Sequence, residues 1–128
     1  MSDFPHHLSE TARAFIARQR GAFIDGEIVE GEGGSVTTLN PATGRPIATL
    51  RESDAATVDA AVRSARAAFD SAWGSMLPAQ RERLLHRLAD LVEEHAHELS
   101  EYDALEGGKP ISYVEAVDLP LAVEQFRY

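Results

Sequence analysis

The 128-residue sequence contains no cysteine. That absence excludes disulfides, thiolate metal centres, iron–sulfur clusters and a cysteine nucleophile from the chain. Basic residues are few: 12 Lys and Arg face 21 Asp and Glu, for a formal net charge of -9. Such a balance argues against nucleic acid as a partner, because phosphate-backbone binding needs a basic face. No apolar run approaches the roughly 20 residues of a membrane-spanning helix, which argues against a membrane role. Met1 to His7 is polar and lacks the apolar region of a signal peptide. What is present, 44% hydrophobic and 26% charged residues, fits one soluble globular domain. The plain reading is a cytoplasmic protein.

The first 50 residues alternate short patterns with breaks. Ser9 or Thr11 can cap a helix over Leu8 to Arg20, with Ala12, Phe15 and Ile16 at helical spacing and Gly21 as its stop. Phe23-Ile24 and Ile28-Val29 flank Asp25-Gly26, which suits the positive-φ positions of a tight hairpin turn. Val36 to Leu39 and Pro46 to Leu50 read as two further strands around the turn Asn40-Pro41-Ala42-Thr43-Gly44. These strands need a larger body to pack on.

From Ser53 the period changes to 3.6. Ser53 or Asp54 can cap a helix whose stripe is Val58, Ala61, Val62, Ala65, Ala68 and Phe69. Pro78 suits a first helical turn, and Leu84, Leu85, Leu88, Leu91 and Val92 carry the next stripe. Arginines crowd the front of that pattern and carboxylates its back, which opposes the macrodipole of one long helix. A break near His95 to His97 resolves the conflict, and Gly107-Gly108 ends the second piece. Pro110 then opens a helix in which Val114, Val117, Leu121 and Phe126 face inward and Pro120 forces a bend. Apolar periodicity still runs at Phe126-Arg127-Tyr128 without a C-cap signal, so the pattern reads as cut.

In order and spacing, Phe23-Ile24-Asp25-Gly26-Glu27, Asn40-Pro41-Ala42-Thr43-Gly44, the Ala60 to Phe69 helix, Arg81 to Leu91 and Glu106-Gly107-Gly108-Lys109-Pro110 assemble into a known pattern. The chain resembles the N-terminal part of the aldehyde dehydrogenase superfamily over residues 21–128. The segment 1–20 resembles the helical extension of members acting on phenylacetaldehyde-type substrates. The resemblance implies an α/β fold: strand hairpins plus the helical layer of an NAD(P)-binding domain, without its Rossmann-like core sheet. It also implies a homo-oligomer that oxidises an aldehyde to a carboxylic acid with NAD or NADP. In the family a cysteine thiolate attacks the carbonyl, amides hold the oxyanion, hydride passes to nicotinamide, and a glutamate activates water. None of those residues falls in the matching part. Gly31-Glu32-Gly33-Gly34 likewise lacks the strand-before, helix-after context of a dinucleotide turn. The chain alone is therefore expected to be inactive scaffold that needs the remainder of the enzyme.

Two sites follow from the resemblance. Many members bind potassium or sodium through two backbone carbonyls near the Asn-Pro turn and the carboxylate before Gly-Lys-Pro. Those positions fall here on Thr38, Leu39 and Glu106; the family often has aspartate at the last of them. Leu121 matches a position that lines the substrate tunnel. Elsewhere the bland readings are preferred. His95 and His97 lie about 200° apart if both are helical and cannot share an ion. His6-His7 reads as a mobile terminus and His86 as surface. The acidic run Glu93 to Glu106 reads as a solvated face with helix N-terminal charge, Trp73 with Phe69 as a packing cluster, and Lys109 as a partner for carbonyls or a carboxylate. The competing functions are a free-standing helical interaction module and one subunit of a split enzyme. In isolation, the stripe residues Val58, Val62, Phe69, Leu84, Leu88 and Leu91 are expected to face water or one another.

Overall fold

This computed structural model describes residues 8–18 and 21–128. The end of the first expected helix (Gln19, Arg20) and His6-His7 lie outside the described residues.

Helix α1 spans Glu10–Ala17 and is capped by Ser9, whose Oγ accepts from the Ala12 N–H at 3.1 Å. It is shorter than expected because Arg18 is already extended (φ -73°, ψ 138°). Strands β1 (Ala22–Ile24) and β2 (Glu27–Val29) form an antiparallel hairpin. Asp25 (φ 52°) and Gly26 (φ 83°) make its turn, the pair of positive φ values that matches strand twist. Strands β3 (Ser35–Leu39) and β4 (Pro46–Arg51) form a second antiparallel pair, closed by the Asn40 turn. There Asn40 Oδ1 accepts from the Ala42 N–H at 2.9 Å, and the Gly44 N–H donates to the Asn40 carbonyl at 2.7 Å. The ladder continues past the strand ends: Gly33 N–H donates to Glu52 O (3.0 Å) and Glu52 N–H to Gly34 O (2.9 Å).

Helix α2 (Ala55–Ala68) is capped by Asp54, not Ser53: its Oδ1 accepts from the Thr57 N–H at 2.8 Å and from Thr57 Oγ1 at 2.6 Å. A π-helical stretch, Phe69–Trp73, continues α2 through a kink at Ser71 (φ -119°, ψ -125°). Arg81 Nη1 holds the chain beyond the kink by donating to the Met76 carbonyl at 2.6 Å. Helix α3 (Pro78–Glu94) starts with proline in its first turn, and Gln80 Oε1 accepts from the Leu77 N–H at 2.9 Å. His95 separates α3 from α4 (Ala96–Gly107), where the charge pattern placed the break. Gly108 ends α4 at φ 72°, a left-handed cap that a side chain would strain. Short α5 (Ile111–Tyr113), a π-helical turn Val114–Asp118 and α6 (Leu119–Arg127) complete the chain.

The wide turn corrects one expectation. Pro120 has no N–H, and its ring crowds the carbonyl one turn back; the π-helical turn just before it relieves that crowding. Its extra residue rotates everything downstream by about 100°. Val123 is therefore the buried residue of α6, and Leu121, expected to face inward, is 51% exposed. Val114 remains fully buried.

Two small cores result. Helix α3 packs along α6, with Ala89 and Val123 buried and Arg127 reaching back to Asp90 at 3.0 Å and to Glu93. Helix α1 packs on α4 and β4, where Leu8, Ala12 and Leu105 form a cluster flanked by Ile16, Ile47 and Tyr102. Helix α2 has no buried residue and touches chiefly β1 and its own continuation. Its stripe and the matching face of α3 lie open: Val58, Val62, Phe69, Leu84, Leu88 and Leu91 are all exposed. Trp73 and Phe69 are exposed too, so they form no packing cluster; Arg66 lies over the Phe69 ring instead, 5.7 Å from its centroid.

Open stripes predict loose packing. By circular dichroism the isolated chain should be partly helical with a broad melt, and it should bind a hydrophobic dye. Val62→Gln and Leu88→Gln should keep the helical signal and reduce aggregation. Ala89→Leu, at a fully buried position, should lower that signal, since overpacking costs about 1–3 kcal/mol. A sharp, reversible two-state melt of the monomer contradicts this account.

Candidate functional site

The region that brings the sequence-derived positions together lies between β3–β4, α1 and α4. Thr38 pairs with Ala48, but the next pair is Leu39 with Pro46, so Ile47 is an extra residue that bulges β4. The bulge interrupts the ladder at Thr38 and Leu39 and sends Ile47 toward the α1–α4 cluster. Beside it opens a cavity of about 170 Å³. Phe15 and Ile16 of α1 cover it, Ile47 and Leu50 of β4 wall one side, and Tyr102 and Leu105 of α4 wall the other.

Thr38 and Glu106 both line this cavity. Leu39 stands next to it across the bulge and does not line it, and Leu121 lies on the exposed side of α6, away from it. Two of the three expected cation positions thus converge. Their oxygens are few: Thr38 Oγ1 donates to the Ala48 carbonyl at 3.3 Å, and Tyr102 Oη donates to Glu98. The remaining wall is largely hydrocarbon. A monovalent ion needs several hard oxygen donors, and this lining offers few.

The acidic run is more than a solvated face. Glu101 is 2% exposed, and both its oxygens are satisfied by Ser9: Oε1 accepts from the Ser9 N–H at 2.6 Å, and Oε2 accepts from Ser9 Oγ. Charge counting missed this residue. The signal was its spacing, since Glu101 sits four residues before the buried Leu105 and so shares its face. A second cleft, of about 440 Å³, reaches from Asn40 past Glu101 to Lys109.

Lys109 pairs with carboxylates as expected, its Nζ 2.7 Å from Asp118 and 3.7 Å from Asp103. The hydrogen bond to Asp118 raises the Lys109 pKa, and the Asp103 charge adds to it. The two histidines have separate partners. His97 Nδ1 lies 2.8 Å from Glu115, and His95 Nδ1 lies 3.7 Å from Glu98. Among the described residues no group of three or more His, Asp or Glu side chains could hold a metal ion. No described helix is long and apolar enough to cross a membrane.

Comparison with known proteins gives one answer throughout. The model of the aldehyde dehydrogenase family matches residues 28–128. The aldehyde dehydrogenase DhaS of Bacillus subtilis is 43% identical over 130 residues, covering 100% of this chain and 26% of that protein. The aminoacetaldehyde dehydrogenase of Pseudomonas aeruginosa is 44% identical over 109 residues, covering 84% of this chain and 22% of its own length. Among solved structures, the NAD+ complex of the Bacillus cereus aldehyde dehydrogenase superposes with a TM-score of 0.89 at 40% identity, covering 94% of this chain and 25% of that one. The chain thus spans about a quarter of the length of these relatives.

The electrostatics of the α4 face are testable by pH. The hydrogen bond to Glu115 raises the His97 pKa above its ordinary 6.5, and the Glu101 charge adds to it. Protonated His97 therefore stabilises the fold fully below about pH 6.5, and that contribution is lost as pH rises through the raised value. Asp54 runs the other way. Its bonds to Thr57 lower its pKa from 3.8, so its cap is intact above that value and is lost as pH falls through the lowered one. In an NMR titration His97 should protonate above 6.5, and Glu115→Gln should return it toward 6.5. A His97 midpoint that ignores this substitution contradicts the pairing.

Proposed function

Since the chain belongs to the aldehyde dehydrogenase family, we propose that it is the N-terminal scaffold of an NAD(P)-dependent enzyme that oxidises an aldehyde to a carboxylic acid. In this reading residues 1–20 are a helical extension and residues 21–128 belong to the cofactor domain, within a cytoplasmic homo-oligomer. The observation that carries the proposal is the open apolar faces of α2 and α3 in a chain a quarter of its relatives' length. Burying one large apolar side chain is worth roughly 1.5–3 kcal/mol, so six exposed ones favour a role inside a larger body over a free-standing module.

Gly31 to Gly34 join β2 to β3, two strands, and no helix N-terminus follows them to receive a pyrophosphate. With no cysteine in the sequence, the thiolate that attacks the carbonyl has to come from residues outside this chain, as does the nicotinamide site that takes the hydride. What this chain supplies is position. The β3–β4 bulge and the end of α4 bring Thr38 and Glu106 to one cavity, which supports a partial site for potassium or sodium made by the Thr38 and Leu39 carbonyls and the Glu106 carboxylate. Leu121 is exposed on α6, and this supports a place on the wall of a substrate tunnel that other residues complete.

Purified residues 1–128 should show no NAD(P)-dependent aldehyde oxidation, and turnover that co-purifies with the chain overturns the scaffold reading. In the assembled enzyme Glu106→Gln should weaken the dependence of thermal stability on potassium or sodium at constant ionic strength. An unchanged dependence removes Glu106 from the site.

A further inference from the structure

Asp25 and Gly26 form a turn, and the same two residues hold the atoms of a covalent rearrangement. Asp25 alone among the aspartates is followed by glycine. Its carboxyl carbon Cγ and the Gly26 backbone nitrogen can close a five-membered ring, and Gly26 has no side chain to obstruct the closure. Apart from its chain neighbours, nothing lies within 4 Å of where a Gly26 Cβ would stand, so the nitrogen is open to approach. Both residues are exposed. Among the described residues no hydrogen bond engages the Asp25 carboxylate or the Gly26 N–H.

Other positions of this kind are restrained. Asn40, the single asparagine, precedes Pro41, whose nitrogen has no hydrogen to give up. Asp54 is engaged by Thr57 as the cap of α2. Asp59, Asp90 and Asp103 lie inside α-helices, and Asp70 and Asp118 in the π-helical stretches. The hairpin yields more easily. Its strands have three residues each, β2 is exposed throughout, and a two-stranded ribbon of that size is marginal in water. Asp25 is the one described non-glycine residue at positive φ (52°), a conformation that an L side chain adopts at a cost.

We propose that Asp25 is a modification site, converted without a catalyst to isoaspartate and then a substrate for an S-adenosylmethionine-dependent carboxyl methyltransferase. The Gly26 nitrogen attacks Asp25 Cγ and gives up its proton, and a carboxyl oxygen leaves as water. The product is a succinimide. Water then opens the ring at either carbonyl. Attack at Cγ restores aspartate, whereas attack at the former peptide carbonyl routes the main chain through Cβ and Cγ and frees the α-carboxylate. Nothing is oxidised or reduced. The methyltransferase moves a methyl group from the sulfonium to that α-carboxylate, and the Gly26 nitrogen expels methanol as the succinimide re-forms. Isoaspartate adds one carbon to a two-residue turn, so the pairing of Ile24 with Glu27 and of Phe23 with Ile28 is lost. Because α2 touches chiefly β1 and its own continuation, the change reaches the helix whose stripe is open. The site stands whatever activity the larger protein has.

The reacting atoms belong to adjacent residues, so the test needs no tightly packed chain. Residues 1–128 are incubated at neutral pH in water enriched in heavy oxygen and mapped by mass spectrometry with electron-transfer fragmentation, which tells the two linkages apart. Asp25 should take up label and accumulate the isoaspartyl linkage ahead of every other aspartate. Methyl transfer from radiolabelled S-adenosylmethionine by a purified isoaspartyl methyltransferase should rise with incubation time. Asp25→Glu should abolish both signals, because its ring would have six members. Asp25→Asn keeps a residue suited to the turn and should give isoaspartate faster, with ammonia leaving in place of water. Label at Asp25 no greater than at the other aspartates, or methyl acceptance unchanged by Asp25→Glu, overturns the site. Isoaspartate at Asp25 without methyl acceptance keeps the rearrangement and removes the methyltransferase.

Discussion

A helix with one apolar stripe holds its place in water only when something covers the stripe, and α2 and α3 present theirs to solvent. Helix α2 carries Val58, Val62 and Phe69 along one exposed line, and α3 carries Leu84, Leu88 and Leu91 along another. Asp54 caps α2, which has no buried residue, and Ala89 lets α3 approach α6 closely. The two helices are therefore formed and oriented, with the larger share of their hydrophobic energy still available to another surface. A sheet is the natural complement to a flat, alanine-rich face such as that of α2.

The rest of the molecule is organised around smaller, polar constraints. The bulge at Ile47 bends β4 so that one residue reaches the α1–α4 cluster while Thr38 stays beside the cavity. Glu101 draws the start of α1 onto α4. Lys109 spans Asp103 and Asp118, and so fixes how the chain leaves α4 for α6. The Glu101 link spans 92 residues of sequence, whereas the bulge and the Lys109 pairs act between neighbouring segments.

Local chemistry made much of this legible in the sequence. Asp25-Gly26, the Asn40 turn, Pro78, the break at His95 and the stop at Gly108 all act within a few residues of themselves, and all appear where their chemistry places them. The misreadings came where a distant or non-periodic event intervened. Leu121 turned outward because a π-helical turn shifted the phase of α6. Trp73 and Phe69 stayed exposed because no described residue buries them. Glu101 was hidden among other carboxylates because charge counting ignores which face of the helix each one occupies. The candidate site was legible only through resemblance, since backbone carbonyls leave no mark on side-chain identity.

The central claim is that the open faces of α2 and α3 await residues outside this chain. Hydrogen–deuterium exchange of the chain, alone and mixed with a polypeptide covering the unmatched three quarters of the Bacillus cereus relative, tests it most directly. The account predicts weak protection of α2 and α3 in the chain alone and strong protection of both in the mixture. Full protection of α2 and α3 in the monomeric chain, unaltered by the added polypeptide, would contradict it.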